Sequence, residues 1–325
     1  MTTLFDLPTL EAALPRIYQH MTPSSCRHWP LLSQQLGCDI YLKHENHNPT
    51  GAFKVRGGLV YMQALSERHP ELEGVVSATR GNHGQSIALA ASQVGLKTLI
   101  VAPEGNSREK NAAMEAFGAE LLLAGKDFDE SRKIAEQLAE ERQWHMVPSF
   151  HKDLVLGVAS YALEMFQQHT FDTVYVPIGM GSGICAVITV RDLLQLDTKV
   201  VGVVSTGADA IKQSFEHKRI IPTDSAVTYA DGMACREPQQ DAMAIIQRGA
   251  DRIISVNDDE VAEAQRQLFS SCHTLAEGAG AASLAALRQE RDQQAGKSIG
   301  LVVTGANIDR DLFSQVLQGK TPSVS

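Results

Sequence analysis

Residues 44–58 read HENHNPTGAFKVRGG, and this stretch decides the fold. Its Pro-Thr-Gly turn at residues 49–51 leads directly to Phe53 and Lys54, at the point where a helical pattern begins. A lysine at a helix N-terminus beside an aromatic ring should have a lowered pKa, because desolvation and the helix dipole both disfavour its charge. A neutral amine is what a Schiff base with an aldehyde cofactor requires. A lysine that caps a surface turn explains this segment alone equally well.

A second motif occupies residues 179–183, which we call the glycine loop. It lies between an apolar segment at 174–178 and a helical pattern at 184–194. Glycines let backbone N–H groups converge on an anion, and the positive end of the following helix adds to the attraction. Phosphate is therefore a natural ligand, although a tight strand-to-helix turn without a ligand fits as well. The loop consists of Gly179, Met180, Gly181, Ser182 and Gly183, and is neither a GxGxxG loop nor a Walker loop.

Two further motifs follow predicted strands. Residues 77–85 read SATRGNHGQ, and residues 303–309 read VTGANID. Asn82 suits either the cap of a helix or a polar contact to a ligand in a cleft. Thr304 suits either a strand end, because threonine has a high β propensity, or a hydroxyl that faces a ligand. Ligands of α/β proteins bind at the carboxyl ends of strands, and all four motifs are predicted to lie there.

Short β-branched runs alternate with amphipathic segments from residue 39 onward. The pattern predicts strands at 39–44, 74–78, 98–101, 120–123, 173–177, 199–204, 252–256 and 298–304, and helices that include 85–94, 108–117, 129–142 and 260–272. This order predicts an α/β fold with parallel sheets, right-handed crossovers and helices on both faces. We further predict a small α/β domain at 71–149, inserted into a large domain made of 1–70 and 150–325.

The composition narrows the possible functions. A chain of 325 residues, with 43% hydrophobic and 21% charged residues, can form two folded domains. Its formal net charge of -9 argues against a nucleic-acid or membrane partner. Five cysteines without CxxC pairing, and no signal-peptide pattern, indicate a cytoplasmic location. The chain contains no HxH, HExxH or Cys/His cluster, so no metal site is predicted.

The four motifs, in this order and spacing, resemble the fold-type II pyridoxal-phosphate enzymes, in the branch of serine/threonine dehydratases and serine racemases. The resemblance covers nearly the whole chain. It implies two parallel or mixed-sheet domains of the tryptophan synthase β-like kind, with pyridoxal 5'-phosphate in the cleft between them. It also implies a small amino acid as substrate and a homodimer.

The resemblance implies a role for each residue that matches a family motif. Lys54 would hold the cofactor through its amine and remove the Cα proton, with Phe53 packed near the cofactor ring. The glycine loop would bind the cofactor phosphate. Thr304 would face the pyridine nitrogen, where a neutral hydroxyl makes the ring a weaker electron sink and so favours elimination. The other implied cofactor contacts are Asn82, Gly232 and Glu277.

The implied activity is that of an ammonia-lyase, which removes water and then ammonia from L-threonine or L-serine to yield 2-oxobutanoate or pyruvate. The implied substrate contacts are Thr79, Arg80, Asn82 and His83. Dehydration of 3-hydroxyaspartate or phenylserine, and serine racemisation, are the alternatives within the family. A non-catalytic amino-acid-binding protein is the alternative from a different class.

Three positions depart from the family pattern. Arg80 stands where the family's racemases have a serine that faces the lysine, and an arginine is too basic to donate a proton readily. This predicts elimination with little racemisation. Three roles stay open for Arg80: it could bind a second substrate carboxylate, form an interdomain ion pair, or contact the ordinary α-carboxylate of the substrate. Val204 and Ala210 stand where many members have acidic ligands for a cation, so no metal is expected unless a shifted register recruits Asp209.

Overall fold

A computed structural model describes residues 4–323, and two sheets organise this part of the chain. The strands are β1 (Cys26–His28), β2 (Asp39–His44), β3 (Gly74–Ala78), β4 (Lys97–Ala102), β5 (Glu120–Leu123), β6 (His145–Met146), β7 (Thr173–Pro177), β8 (Lys199–Ser205), β9 (Arg252–Val256) and β10 (Ser298–Val303). The six-stranded sheet has the order β1-β2-β10-β7-β8-β9, and the four-stranded sheet has the order β5-β4-β3-β6. Neighbouring strands run parallel, except that β1 runs antiparallel to β2.

Helices fill the connections between the strands. They are α1 (Leu7–Tyr18), α2 (Pro30–Leu36), α3 (Lys54–Arg68), α4 (Asn82–Gln93), α5 (Arg108–Ala116), α6 (Phe128–Arg142), α7 (Lys152–Gln168), α8 (Ser182–Leu193), α9 (Ala210–His217), α10 (Gln240–Gly249), α11 (Asp258–Cys272), α12 (Gly278–Gln289) and α13 (Arg310–Leu317). Local sequence sets several starts, as at α11, where Asn257 and Glu260 form a capping box. No helix between residues 4 and 323 is both long enough and apolar enough to cross a bilayer.

Both sheets are buried on both faces, which explains why their strands read as continuous apolar runs. Along β7, Val174 and Val176 belong to one hydrophobic cluster, with residues of α7 and α8, whereas Tyr175 belongs to another, with residues of α11 and α12. In the four-stranded sheet, the neighbours Val75 and Val76 likewise point into different clusters. Alternate residues of a strand face opposite sides of its sheet, so each sheet separates two core layers.

The α/β fold with two parallel or mixed sheets is confirmed, and all eight predicted strands are present within a residue of their predicted ends. Two short strands, β1 and β6, were not predicted, because segments of two or three residues show no periodicity. The helices predicted at 85–94 and 184–194 begin earlier, at Asn82 and Ser182. Their first turns contain glycine and polar residues, so the apolar pattern starts only in the second turn.

The four-stranded sheet draws all its strands from residues 74–146. However, the hydrophobic cluster on one of its faces also contains Ile17 of α1 and Val55 and Leu59 of α3, which precede residue 71. These helices therefore contribute to the packing of the sheet from outside its own stretch of sequence. The predicted domain boundaries at 71 and 149 stay a prediction.

Candidate active site

A cavity of about 170 Å³ lies where strands of both sheets end. Ala78 at the end of β3, Pro177 at the end of β7 and Thr304 just after β10 all line it. The carboxyl ends of parallel strands are the usual ligand site of α/β folds. The cavity brings together every residue predicted for the site, namely Phe53, Lys54, Thr79, Arg80, Asn82, His83, Gly179, Met180, Gly181, Ser182, Gly183, Gly232, Glu277 and Thr304.

Backbone contacts fix Lys54 at the first position of α3. The Phe53 N–H donates a hydrogen bond of 3.0 Å to the Thr304 carbonyl, which ties the lysine segment to the end of β10. The Ser86 hydroxyl donates to the Lys54 carbonyl at 2.6 Å, which ties it to α4. The lysine is therefore held against elements of both sheets and directed into the cavity.

The amine of Lys54 faces the helix that follows the glycine loop. Its Nζ atom donates a hydrogen bond of 3.0 Å to the Ser182 hydroxyl and lies 5.0 Å from the centre of the Phe53 ring. Burial lowers the pKa of Lys54 to about 8, because desolvation disfavours the ammonium form. A substantial fraction of this amine is therefore neutral near physiological pH.

The glycine loop has a backbone that requires glycine at two positions. Gly181 has a φ of 97°, in the left-handed region that residues with a Cβ atom rarely adopt. A Cβ atom on Gly179 would lie 2.2 Å from the carbonyl oxygen of Gly232, so the two segments approach too closely for a side chain. The loop then enters α8, whose first-turn N–H groups have no intrahelical acceptor and can bind an anion.

Asn82 connects the two sheets through both ends of its amide. Its Nδ2 donates to Glu277 Oε1 at 2.7 Å, and its Oδ1 accepts from Asn307 Nδ2 at 2.8 Å. Asn307 also donates to the Thr50 carbonyl at 2.8 Å, which joins the Pro-Thr-Gly turn to the same network. The capping hypothesis for Asn82 is wrong, because Asn82 is the first residue of α4 and Gly81 occupies the cap position.

Lys110 and Asp231 line the cavity but were missed from the sequence. Lys110 is 7% exposed, and its Nζ lies 2.6 Å from Asp231 Oδ2 and 4.0 Å from Glu277 Oε2. Burial raises the pKa of Glu277 to about 7, against the effect of the Lys110 charge. Lys110 lies among other charged residues of α5 and therefore gives no sequence signal, whereas Asp231 directly precedes the predicted Gly232.

Three buried polar atoms at the cavity have no hydrogen-bond partner among the described residues. They are Thr304 Oγ1, His83 Nε2 and Glu277 Oε2. Burial and the nearby Lys54 charge lower the pKa of His83 to about 3, so its ring is neutral. Buried polar groups are normally paired, so these three atoms indicate that the cavity binds a molecule with polar atoms of its own.

Comparison with known proteins identifies the family. The model of the "Pyridoxal-phosphate dependent enzyme" family matches residues 17–305. The chain is 33% identical over 312 residues to the L-threonine ammonia-lyase of Geobacter sulfurreducens, covering 95% of this chain and 77% of that protein. It is 32% identical over 283 residues to the biosynthetic L-threonine dehydratase IlvA of Pasteurella multocida, covering 86% of this chain and 55% of that protein. The chain thus spans little more than half the length of the Pasteurella relative.

A solved structure agrees over almost the whole chain. The crystal structure of a pyridoxal 5'-phosphate-dependent aspartate racemase superposes with a TM-score of 0.90 at 28% identity, covering 96% of this chain and 98% of that chain. Fold and cavity therefore define an α/β enzyme with its site between two sheets. The chain belongs to the pyridoxal-phosphate dependent enzyme family, in its fold-type II group.

The cofactor of this family is pyridoxal phosphate, and the residues of the cavity fit it. The glycine loop offers N–H groups for a phosphate, and Lys54 offers an amine with a lowered pKa for an aldehyde. Thr304 Oγ1 is a buried hydroxyl that finds no partner within residues 4–323, as expected of a group that faces a ring nitrogen. Asn82 retains a second amide hydrogen, since Glu277 takes only one of the two.

The Lys54 pKa predicts how apoenzyme takes up its cofactor. Only the neutral amine attacks an aldehyde, so the uptake rate should rise with pH and level off above about 8. Stopped-flow absorbance on apoenzyme mixed with pyridoxal phosphate, from about pH 6 to about pH 10, measures this rate. Free Nα-acetyl-lysine is the control, with a plateau near its ordinary pKa of about 10.4. The same late plateau for the protein would contradict the lowered pKa.

Proposed function

We propose that this chain is a pyridoxal-phosphate-dependent ammonia-lyase that converts a β-hydroxy amino acid to a 2-oxo acid and ammonia. L-Threonine and L-serine are the default substrates, with 2-oxobutanoate and pyruvate as products. The names of the Geobacter and Pasteurella relatives support this choice. A homodimer and a cytoplasmic location remain predictions.

The observation that carries the proposal is the state of the Lys54 amine. It is desolvated, its pKa is lowered to about 8, and it lies 3.0 Å from Ser182 at the start of the helix that follows the glycine loop. A general base is most effective when its pKa lies near the working pH. An amino-acid-binding protein without catalytic activity has no need for such a base beside an anion site.

The residues of the cavity divide the work of elimination. When bound, pyridoxal phosphate supplies an aldehyde for the substrate amine and an electron sink for charge left on Cα. Lys54 Nζ accepts the Cα proton. Thr79 and the N–H groups around it orient the substrate carboxylate. The β-hydroxyl then leaves, so that one water is lost, and hydrolysis of the resulting enamine returns one water and releases ammonia.

The neutral group at position 304 favours elimination over transamination. An aspartate facing the pyridine nitrogen would stabilise a positive charge there and strengthen the electron sink, whereas the Thr304 hydroxyl cannot. Expulsion of the β-hydroxyl disposes of the Cα electron pair without such a sink. Residue 304 is buried at 4% exposure, so water does not take over this role.

A product assay tests the proposed function. Holoenzyme incubated with L-threonine or L-serine should release 2-oxo acid and ammonia in equal amounts, measured by lactate dehydrogenase-type coupling and by glutamate dehydrogenase. Binding of these amino acids in calorimetry without any product would favour the binding protein. Equimolar 2-oxo acid and ammonia from each of the two substrates, with no product from L-alanine, would confirm that the β-hydroxyl is the leaving group.

Racemisation should be slow compared with elimination. Inversion at Cα needs a proton donor on the face opposite Lys54, and Arg80 occupies the position of the family's serine. We expect D-serine to form from L-serine at less than about 1% of the rate of ammonia release, since one general acid contributes about 10²-fold or more. Chiral chromatography measures it, and Arg80→Ser should raise the rate. Inversion that keeps pace with ammonia release would refute this prediction.

Activity should not depend on a divalent cation. Val204 and Ala210, the positions of the family's acidic ligands, are both buried and carry no ligand atom in their side chains. Across residues 4–323, no group of three or more His, Cys, Asp or Glu side chains is arranged to hold a metal ion. Exhaustive dialysis against EDTA should therefore leave kcat for L-serine within about twofold of its starting value. A loss that Mg²⁺ or Ca²⁺ restores would show that Asp209 or another carboxylate binds a cation after all.

A further inference from the structure

A second cavity of about 340 Å³ adjoins the active-site cavity. The two share part of their walls, including Arg80, Phe128 and Met180. Phe150 and Met146 also line the second cavity and add apolar surface to it. None of the steps proposed above uses this space, and the methyl group of threonine is far too small to fill it. The second cavity therefore has room for a substrate whose side chain is longer than that of threonine.

Arg80 lies at the junction of the two cavities. The residue is exposed and lines both cavities, and its guanidinium forms no hydrogen bond or ion pair with any residue between 4 and 323. The interdomain ion pair, one of the roles considered for Arg80, is thus not formed in the described part of the chain. A guanidinium offers two parallel N–H donors to a carboxylate, so Arg80 is free to bind one.

A second arginine also supports a carboxylate site in this cavity. Arg132 of α6 also lines the second cavity, and its Nε atom is buried without a hydrogen-bond partner among residues 4–323. The remaining arginine of the cavity, Arg236, is already paired with Asp129 at 3.1 Å. Arg80 and Arg132 are therefore the cations of this cavity that have no partner carboxylate in the described part of the chain.

The acidic residues of the cavity do not take up these two charges. Asp129 is engaged by Arg236, and Asp127 caps α6 by accepting a hydrogen bond from the Glu130 N–H at 2.9 Å. Glu136 and Glu237 also line the cavity but are exposed, so water and salt screen their charges. Among residues 4–323, none of the carboxylates of this cavity forms an ion pair with Arg80 or Arg132, so both guanidinium groups can pair with an incoming carboxylate.

We propose that the second cavity binds the part of the substrate beyond Cβ and that Arg80, assisted by Arg132, recognises a carboxylate there. This inference rests on the proposed ammonia-lyase function and specifies its substrate class, a β-hydroxy amino acid with a second carboxylate. Arg80 at the junction suits a carboxylate on Cβ, as in 3-hydroxyaspartate, and the space beyond it accepts longer homologues. The α-carboxylate is held separately, by the loop around Thr79.

A matched pair of substrates tests the charge without changing the size. L-threo-3-hydroxyaspartate and L-threo-3-hydroxyasparagine differ by a carboxylate and an amide of equal shape. Wild-type holoenzyme should favour the hydroxyaspartate in kcat/KM by about 10- to 100-fold, the size of one or two charge-assisted hydrogen bonds. Phenylserine tests the apolar alternative, and its turnover ahead of hydroxyaspartate would overturn the proposal.

Variants of the two arginines locate the effect. Arg80→Ala should remove most of the preference for hydroxyaspartate over hydroxyasparagine, and Arg80→Lys should retain part of that preference. Arg132→Ala should cause a smaller loss of the same kind. Arg219→Ala is the matched control, because Arg219 is exposed and lines neither cavity. Equal losses on L-serine and hydroxyaspartate would overturn the specific role of Arg80.

A binding measurement separates this inference from the proposed function. L-Aspartate and L-asparagine lack the β-hydroxyl leaving group, so calorimetry on holoenzyme measures recognition without elimination. Aspartate should bind more tightly than asparagine, and Arg80→Ala should abolish the difference. If aspartate binds more tightly in this way but no hydroxy amino acid yields a 2-oxo acid, the ammonia-lyase function is refuted and the carboxylate site is retained. If L-serine is turned over but aspartate binds no more tightly than asparagine, the carboxylate site is refuted and the ammonia-lyase function is retained.

Discussion

Lys54→Ala lowers kcat for 2-oxo acid release by about 10⁴-fold, which is the largest effect that we expect from any single substitution. The change removes both the amine that binds the cofactor aldehyde and the base that accepts the Cα proton, and a positioned base alone contributes about 10² to 10⁴. Lys54→Arg should be nearly as inactive, because a guanidinium does not lose its proton at working pH. Initial rates on L-serine with saturating pyridoxal phosphate measure both losses.

Lys97→Ala is the matched control for the Lys54 substitutions. Lys97 begins β4, its side chain is 67% exposed, and its Nζ lies 3.5 Å from Glu73 in a surface pair of small energetic weight. Its kcat should stay within about twofold of wild type. Thermal unfolding of Lys54→Ala checks that the fold survives. A folded Lys54→Ala variant that kept more than about a tenth of the wild-type rate would contradict the assigned base.

Arg56→Met destabilises the fold by about 3–5 kcal/mol, because it leaves buried carboxylates without their partner. Arg56 is fully buried, and its Nε lies 2.7 Å from Glu45 while its Nη1 lies 2.6 Å from Glu164. Lys43 is the second cation of this cluster and contacts Glu164. The cluster lies under the first turn of α3, two residues from Lys54, so its loss should also reduce cofactor binding.

Urea unfolding of apoenzyme measures this destabilisation, with Arg16→Met as the control. Arg16 pairs with Glu67 at 3.1 Å, but the two side chains are 39% and 49% exposed, so the expected loss is below about 1 kcal/mol. Similar midpoints for Arg56→Met and wild type would contradict the account of the buried cluster. An apolar side chain of similar length keeps the packing comparable, so the difference reports the charges.

The pH dependence of this stability has a definite sign. Burial would raise the pKa of Glu45, but the charges of Arg56 and Lys43 hold it below its ordinary value. A carboxyl with a lowered pKa in the folded state stabilises the fold fully above its unfolded pKa, and this contribution disappears as the pH falls through the folded pKa. The difference in the free energy of unfolding between wild type and Arg56→Met should therefore become smaller as the pH falls.

The features of the fold and site that depend on local sequence pattern could be predicted from the sequence. Glycine and asparagine motifs at strand ends pointed to one cleft, and the cavity does contain Lys54, Asn82, the glycine loop and Thr304 together. Buried parallel strands such as β3 are recognisable because both of their faces are apolar. These features depend on neighbouring residues, so a single sequence is enough to find them.

The missing parts depend on contacts between distant segments. Lys110 and Asp231 lie 121 positions apart and form their ion pair only once the two sheets face each other. Arg56 belongs to a predicted motif, but its burial with Glu164 depends on the packing of α3 against α7. The second cavity likewise arises where α6 meets the segment around Arg236. These contacts between distant segments cannot be predicted from the periodicity or the spacing of residues in the sequence.

The central claim is that the Lys54 amine carries the cofactor, and borohydride reduction of the holoenzyme tests it most directly. Reduction should turn the linkage into a stable secondary amine, and digestion followed by mass spectrometry should find the added phosphopyridoxyl group on the peptide that contains residues 53–56, at Nζ of Lys54. Lys110, the other lysine of the cavity, serves as the internal comparison. Label on Lys110 or elsewhere, with Lys54 unmodified, would contradict the account.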